Sequence, residues 1–146
     1  MVESRVTVSP IAPGASTLQP RIVLCIDDSQ TNLTMLAWML KRLPQLVVRS
    51  ASSGSDGIAQ ALASPPDLIL LDINMPGMSG WEVLAALKAD ARGEGIPVVA
   101  LTAEAEAEGG VEARAHDAGF ADYLTKPFRL EQLYATVTRY LDDPRP

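Results

Sequence analysis

Five side chains able to bind a metal ion and a phosphoryl group each follow a short apolar segment of the sequence. Asp27 and Asp28 follow the first segment, Asp72 the third and Thr102 the fourth, and Lys126 comes just after the fifth. Three carboxylates brought together repel one another and lose hydration, and a single lysine cannot balance them. A hard divalent cation can balance them, because oxygen ligands without histidine or cysteine suit Mg²⁺ first, then Mn²⁺ or Ca²⁺.

A pocket of this kind has the chemistry of a phosphoryl acceptor. The metal ion, the Lys126 ammonium and the Thr102 hydroxyl would each stabilise one phosphoryl oxygen. The Asp72 carboxylate could attack phosphorus and become an aspartyl phosphate. Taken singly, an acid pair is a common helix cap, a threonine is usually a satisfied hydroxyl, and a lysine–proline pair is usually a surface turn. Their joint placement after four different apolar segments favours the chemical interpretation.

The predicted secondary structure explains how residues far apart in sequence would meet. Short strands are predicted at residues 21–26, 46–48, 68–71, 98–101 and 122–124, with helices between and after them. Continuously apolar strands need helices on both faces. The alternation therefore predicts an α/β fold with a doubly wound, five-stranded parallel sheet and five helices. In such folds the ligand site lies outside the carboxyl ends of the strands.

The sequence divides into one domain with two short flanking segments. Residues 1–20 contain several prolines and lack helical periodicity, which predicts a flexible N-terminal leader. Residues 21–142 carry the strand and helix patterns, and residues 143–146 are predicted to be a short C-terminal tail. A total of 146 residues suits a single domain.

Composition excludes several classes of function. The net charge is −6 and no stretch clusters lysine and arginine, so direct binding of nucleic acid is not expected. One cysteine and one histidine exclude an internal disulfide and any cysteine-based or multi-histidine metal site. No apolar run approaches the roughly 20 residues of a membrane span, and no signal peptide is evident. We therefore predict a cytoplasmic protein that does not insert into membranes.

Two blocks of sequence carry a family resemblance. Residues 68–80 read Leu-Ile-Leu-Leu-Asp-Ile-Asn-Met-Pro-Gly-Met-Ser-Gly, and residues 124–128 read Leu-Thr-Lys-Pro-Phe. Asp72 follows Asp28 by 44 positions, Thr102 follows Asp72 by 30, and Lys126 follows Thr102 by 24. From Arg21 to Leu141 the chain resembles the receiver domain of two-component response regulators, the CheY-like superfamily, which implies a flavodoxin-like topology.

The resemblance implies a role for each residue of the pocket. Asp72 would be the phosphoacceptor. Asp28 and Asp72 would bind Mg²⁺ directly (Mn²⁺ is a possible substitute), Asp27 would act mainly through a bound water, and the backbone carbonyl of Asn74 would be a further ligand. Lys126 would pair with Asp72 or the phosphoryl group, and Lys126–Pro127 would be a cis peptide.

The resemblance also implies a switch and positions that tune it. Thr102 would hydrogen-bond a phosphoryl oxygen, and Tyr123 would turn inward behind it, changing the surface of the fourth helix, fifth strand and fifth helix. Ala103 is small and would leave access to the phosphoryl group, whereas Asn74 and Glu104 would influence the hydrolytic water. A long, mobile acidic segment is predicted between Thr102 and the helix that starts at residue 111.

The implied partners are proteins. A sensor histidine kinase or a histidine phosphotransfer protein would supply the phosphoryl group, and a downstream protein target would bind the switched surface. A homodimer through that surface is possible. The domain would assist its own phosphorylation and dephosphorylation without being a turnover enzyme. Because no output domain follows Leu141, a stand-alone receiver is predicted, and a receiver fragment of a hybrid histidine kinase is the alternative.

Two other functions use similar residues. A phosphatase of the haloacid-dehalogenase type also has a strand-end aspartate nucleophile, Mg²⁺ and a lysine, but it needs an acid two positions after the nucleophile, where this chain has Asn74. A flavodoxin-like cofactor binder needs a phosphate-cradling loop after the first strand. Asp27 and Asp28 stand there instead and would repel a phosphate in the absence of a metal.

Overall fold

A computed structural model describes residues 20–103 and 110–142. In this part of the chain five strands alternate with five helices. The strands are β1 (Arg21–Ile26), β2 (Leu46–Ala51), β3 (Leu68–Asp72), β4 (Val98–Ala103) and β5 (Asp122–Lys126). The helices are α1 (Gln30–Leu40), α2 (Gly54–Ala63), α3 (Gly80–Lys88), α4 (Val111–Ala118) and α5 (Leu130–Asp142).

The strands form one parallel sheet in the order β2-β1-β3-β4-β5. The predicted doubly wound, flavodoxin-like fold is therefore confirmed. Strand order reverses between β1 and β3, which are neighbours, so the loops that follow them diverge and leave a crevice at their carboxyl ends. The acidic residues predicted to act together stand at this crevice.

The core has two halves, one on each face of the sheet. Leu24 and Ile26 of β1 pack with α2, α3 and Ala115 of α4. Val23 and Cys25, which alternate with them, pack with α1 and α5 on the opposite face. Alternate residues of a strand point to opposite faces, so a strand buried on both faces is apolar throughout. This explains why β3, which is buried along its whole length, is apolar from Leu68 to Leu71.

Four strands extend further than the sequence predicted. β2 continues to Ala51 through Arg49 and Ser50, because an edge strand can carry polar residues that remain partly exposed. β3 includes Asp72, β4 includes Thr102, and β5 includes Lys126, so these three residues lie in strands rather than after them. The polar residues at the strand ends concealed the extensions, since the predictions followed the apolar runs.

Some predictions concern residues that the structure does not describe. The leader, apart from Pro20, and the tail at residues 143–146 lie outside the described residues. So do Glu104 and the rest of the acidic segment up to residue 109. Among the described helices, none has both the length and the apolar character that crossing a bilayer requires.

Candidate functional site

Three acidic side chains converge at the carboxyl ends of β1 and β3. One carboxylate oxygen from each of Asp27, Asp28 and Asp72 lies within 4.8 Å of the others. Asp27 and Asp72 are buried, with 1% and 5% of their surface exposed, whereas Asp28 is exposed. The cluster thus has two fixed, dehydrated carboxylates and one that faces the solvent.

The turn from β1 into α1 fixes Asp27. Its Oδ1 accepts a hydrogen bond from the Ser29 N–H at 2.9 Å, and its Oδ2 accepts one from the Asn32 side-chain amide at 3.2 Å. Ser29 is the N-cap of α1, and its hydroxyl accepts from the Asn32 N–H. A polar residue at this position satisfies N–H groups that the first helical turn leaves without partners.

The turn from β3 into α3 fixes Asp72. The Gly80 N–H donates to the Ile73 carbonyl at 2.9 Å, which closes the loop onto the end of the strand. A Cβ atom at Gly80 would lie 2.6 Å from the Asp72 carbonyl oxygen and 2.7 Å from the Ile73 Cα, so only glycine fits without a shift of the backbone. A capping box of Ser79 and Glu82 then begins α3.

Lys126 joins the two buried carboxylates. Its ammonium lies 3.2 Å from Asp72 Oδ1 and 3.4 Å from Asp27 Oδ2. The peptide bond from Lys126 to Pro127 is cis, as the resemblance implied. One ammonium therefore compensates two carboxylates, and the cluster keeps an excess of negative charge that a cation would neutralise.

The surroundings of Asp72 disfavour its charged form. Burial raises the pKa of Asp72 above its ordinary value, and the charge of Asp27 acts in the same direction. Two groups act in the opposite direction and lower this pKa: the Lys126 ammonium and the Asn74 N–H, which donates to the carboxylate. A carboxylate with these competing influences gains much from a further positive charge.

The donor set fits a hard divalent cation. Three carboxylate oxygens within 4.8 Å of one another, without histidine or cysteine, match the ligands of Mg²⁺. The exposed Asp28 leaves the cluster open to solvent on one side, and Mg²⁺ usually retains several waters. The residues present thus fit the metal ion that the sequence analysis anticipated.

The structure also brings Thr102 and Ala103 to this edge of the sheet. Thr102 is fully buried and pairs with Thr125 across β4 and β5, and its hydroxyl donates to the Ala103 carbonyl at 3.3 Å. Ala103 pairs with Lys126 and is exposed. Both residues therefore flank the lysine, one inside the protein and one at its surface.

Tyr123 lies further from the acids, whereas Asn74 reaches Asp72 through its backbone N–H. Tyr123 pairs with Ala100, three residues before Ala103, and packs half-buried against the core. The Asn74 side chain is exposed in the loop after β3.

Sequence reasoning missed Asn32. An asparagine in the first turn of a helix has an ordinary role in local turns, and nothing in its type pointed to the pocket. Its position five residues after Asp27 was the available signal, because a strand–turn–helix junction can fold such a residue back onto the strand end.

Comparison with known proteins gives a consistent result. A profile of the response regulator receiver domain matches residues 23–138. Protein PilH of Pseudomonas aeruginosa is 36% identical over 119 residues, which are 82% of this chain and 96% of PilH. Sensor protein GacS of Pseudomonas syringae is 34% identical over 96% of this chain, and the chain spans only 15% of the length of GacS.

Solved structures are similar in fold. The chemotaxis protein CheY4 of Vibrio cholerae superposes with a TM-score of 0.74 at 30% identity, covering 83% of this chain and 98% of CheY4. The receiver domain of the sensor histidine kinase PA1611 of Pseudomonas aeruginosa has a TM-score of 0.76 at 28% identity, covering 85% and 99%. That structure has a magnesium ion coordinated in its active-site cleft.

Proposed function

The chain belongs to the response regulator receiver domain family, and we propose that it accepts a phosphoryl group from phosphohistidine onto Asp72 and thereby controls a protein partner. The observation that carries this proposal is the position of Asp72. Its buried carboxylate lies 3.2 Å from the Lys126 ammonium and is grouped with two further acids.

We assign the transfer step to these residues. An Asp72 oxygen attacks phosphorus, the bond from phosphorus to the donor nitrogen breaks, and its electron pair stays on the imidazole nitrogen. The Lys126 ammonium, already in contact with Asp72, stabilises the charge on the phosphoryl oxygens. Asp28, Asp72 and the Asn74 carbonyl would hold Mg²⁺, with Asp27 acting through water. The ion would supply further charge neutralisation for the transferring group.

The switch in this proposal connects Thr102 to Tyr123. A phosphoryl group adds roughly −1.5 to −2 charges and strong acceptor oxygens beside β4. The Thr102 hydroxyl then moves to donate to it, and Tyr123 turns into the space released. The surface of α4, β5 and α5 changes as a result, and the protein target or a second copy of the chain binds there. Asn74, Ala103 and Glu104 tune the lifetime of the phosphoryl group.

The donor is a sensor histidine kinase or a histidine phosphotransfer protein, and the setting is the cytoplasm. The chain is a stand-alone receiver in this proposal, an arrangement supported by its similarity to PilH over nearly all of that protein. Its similarity to one part of GacS supports the alternative, a receiver within a hybrid kinase.

Phosphotransfer to the whole chain tests the proposal. With Mg²⁺ and phosphoramidate, a small donor with a nitrogen–phosphorus bond, we expect one acid-stable but hydroxylamine-sensitive phosphoryl group per chain, mapped to Asp72. Asp72→Asn should abolish labelling, whereas Asp117→Asn, a substitution of an exposed aspartate on α4, should leave it unchanged. Labelling of Asp72→Asn at the wild-type rate would refute the assignment. Sustained turnover of p-nitrophenyl phosphate would instead indicate a phosphatase.

A further inference from the structure

Asn32 contacts the acidic cluster from the first turn of α1. Its side-chain amide donates to Asp27 Oδ2 at 3.2 Å, and the same oxygen is 3.4 Å from the Lys126 ammonium. We infer that Asn32 is a positioning residue of the acceptor site. Its neutral amide donates a hydrogen bond to Asp27, so that the Lys126 ammonium can remain in contact with Asp72. This inference rests on the proposed function of Asp72.

The need for such a donor follows from the burial of Asp27. Only 1% of its surface is exposed, and a buried carboxylate that lacks hydrogen-bond donors is costly. Ser29 supplies one backbone N–H to Oδ1. Of the donors to Oδ2 that the described residues provide, Asn32 is neutral and Lys126 is charged.

The neutral donor matters because Lys126 is shared. Its ammonium lies almost equally far from Asp27 and Asp72, at 3.4 and 3.2 Å. Without the Asn32 amide, Oδ2 of Asp27 would draw the ammonium toward itself to replace the missing hydrogen bond. Lys126 would then be less available to Asp72, and the Asp27 carboxylate would be less firmly held in the acidic cluster.

The effect should appear in metal affinity, which can be measured without phosphorylation. Loss of a hydrogen bond that orients a metal-site residue typically costs 10- to 100-fold in metal affinity or activity. Because Asp27 acts through water in the proposed site, we expect the lower end of this range. Asn32→Ala and Asn32→Leu should each weaken Mg²⁺ binding about tenfold. Leucine keeps the approximate volume of the side chain and lacks the donor.

Two further variants separate hydrogen bonding from packing. Asn32→Gln retains the amide on a longer stem, and its Mg²⁺ affinity should return to within about threefold of wild type. Thr34→Ala, at an exposed position on the same helix, should leave the affinity unchanged. Affinities are measured by isothermal titration calorimetry on the whole chain, and urea unfolding in EDTA checks that each variant is folded.

The outcomes are distinct from those of the phosphotransfer test. If Asn32→Leu binds Mg²⁺ as wild type does, or if Asn32→Gln binds as weakly as Asn32→Leu, the amide does not position Asp27 and the inference fails. It fails alone if wild type still accepts a phosphoryl group on Asp72. Under saturating Mg²⁺, Asn32→Leu should also accept the phosphoryl group from phosphoramidate more slowly than wild type. The decrease should appear in the maximal rate of phosphorylation.

Discussion

Helices α3 and α4 follow neighbouring strands and cover the same face of the sheet, but they are held in different ways. α3 begins with the Ser79–Glu82 capping box, and four of its nine residues are buried. The N-cap residue of α4 is Gly110, whose φ of 87° is left-handed and which has no side chain to cap the helix. Among the α4 side chains that the structure describes, Ala113 to Ala118, only that of Ala115 is buried.

The attachment of α4 depends on a few side chains near its end. Phe120, which is buried, donates its N–H to the Ala115 carbonyl, and its ring meets the ring of Trp81 edge-on at 5.6 Å. The Arg114 guanidinium lies 4.6 Å from the centre of the same indole ring. The loop from Ile73 to Ser79, called the acceptor loop below, is thus joined to α3 by close backbone packing at Gly80. By contrast, α4 is held to α3 by side chains that can separate at small cost. A helix held in this way suits the proposed change of surface.

Binding of Mg²⁺ should produce the largest change in stability, and it should act on the α3 side. At a concentration 100 times the dissociation constant, a ligand of the native state adds about 2.7 kcal/mol to the free energy of unfolding. Hydrogen exchange should slow at the ends of β1 and β3 more than in α4. Asp28→Asn should remove most of the gain, and Asp56→Asn, at an exposed position in α2, should not. An equal gain in both variants would place the ion elsewhere.

Gly80→Ala tests the close packing of the acceptor loop. The added Cβ would lie 2.6 Å from the Asp72 carbonyl oxygen, and overpacking of this kind costs about 1–3 kcal/mol. Gly95→Ala is the matched control, because a Cβ there meets nothing within 4 Å. Urea unfolding measures both variants. Equal stability of the two would mean that the loop yields readily, and the contrast between α3 and α4 would then be wrong.

The pH dependence of the free energy of unfolding should show that burial disfavours the ionised form of Asp72. Because burial raises the pKa of Asp72 in the folded state, the native carboxyl binds its proton more tightly than the unfolded one. Stability from this group is therefore present at low pH and is lost as pH rises past the ordinary aspartate pKa. In EDTA, the stability of Asp72→Asn relative to wild type should therefore rise as the pH increases from the ordinary aspartate pKa to the raised pKa of the folded protein. A difference independent of pH would contradict the prediction.

Loss of the α3 cap should cost less. Ser79→Ala removes the hydroxyl that accepts from the Glu82 N–H, and such substitutions cost about 1 kcal/mol. Gly110→Ala tests the other helix, where the left-handed φ, rather than a cap, sets the penalty for a side chain. Urea midpoints measured with and without Mg²⁺ should show that Ser79→Ala lowers both the stability and the Mg²⁺ affinity. Gly110→Ala should leave the Mg²⁺ affinity unchanged.

Separating Arg114 from Trp81 should have the smallest effect on stability. An exposed cation–π contact contributes about 0.5–1 kcal/mol, so Arg114→Ala should lower stability by this amount or less. Because the contact holds α4 to α3, exchange of the α4 amides should accelerate while that of α3 stays unchanged. Arg92→Ala, on the loop after α3, is the control. Acceleration in both helices would show that they move as one unit.

Some of this organisation could be predicted from particular residues. The apolar run before Asp72 predicted a buried strand, which the structure has. Glycine is also the residue type typical of a helix end, and Gly119 ends α4 with a left-handed φ of 112°. The ends of β4 and β5 could not be predicted in the same way, because Thr102 and Lys126 are polar and only pairing across the sheet makes them part of strands. The hydrogen bond from Asn32 to Asp27 depends on the path of the turn, which its residue types leave open.

The sequence alone determined the order of the elements, the fold and the set of residues at the strand ends, because periodicity and spacing are local properties of the chain. Only the tertiary structure decided that Asp27 and Asp72 are buried while Asp28 is exposed, that Lys126 is shared between two carboxylates, and that Arg114 lies over Trp81. Burial and contact distance depend on how elements distant in sequence pack together. The same packing sets the dehydration of Asp72 on which the proposed chemistry depends.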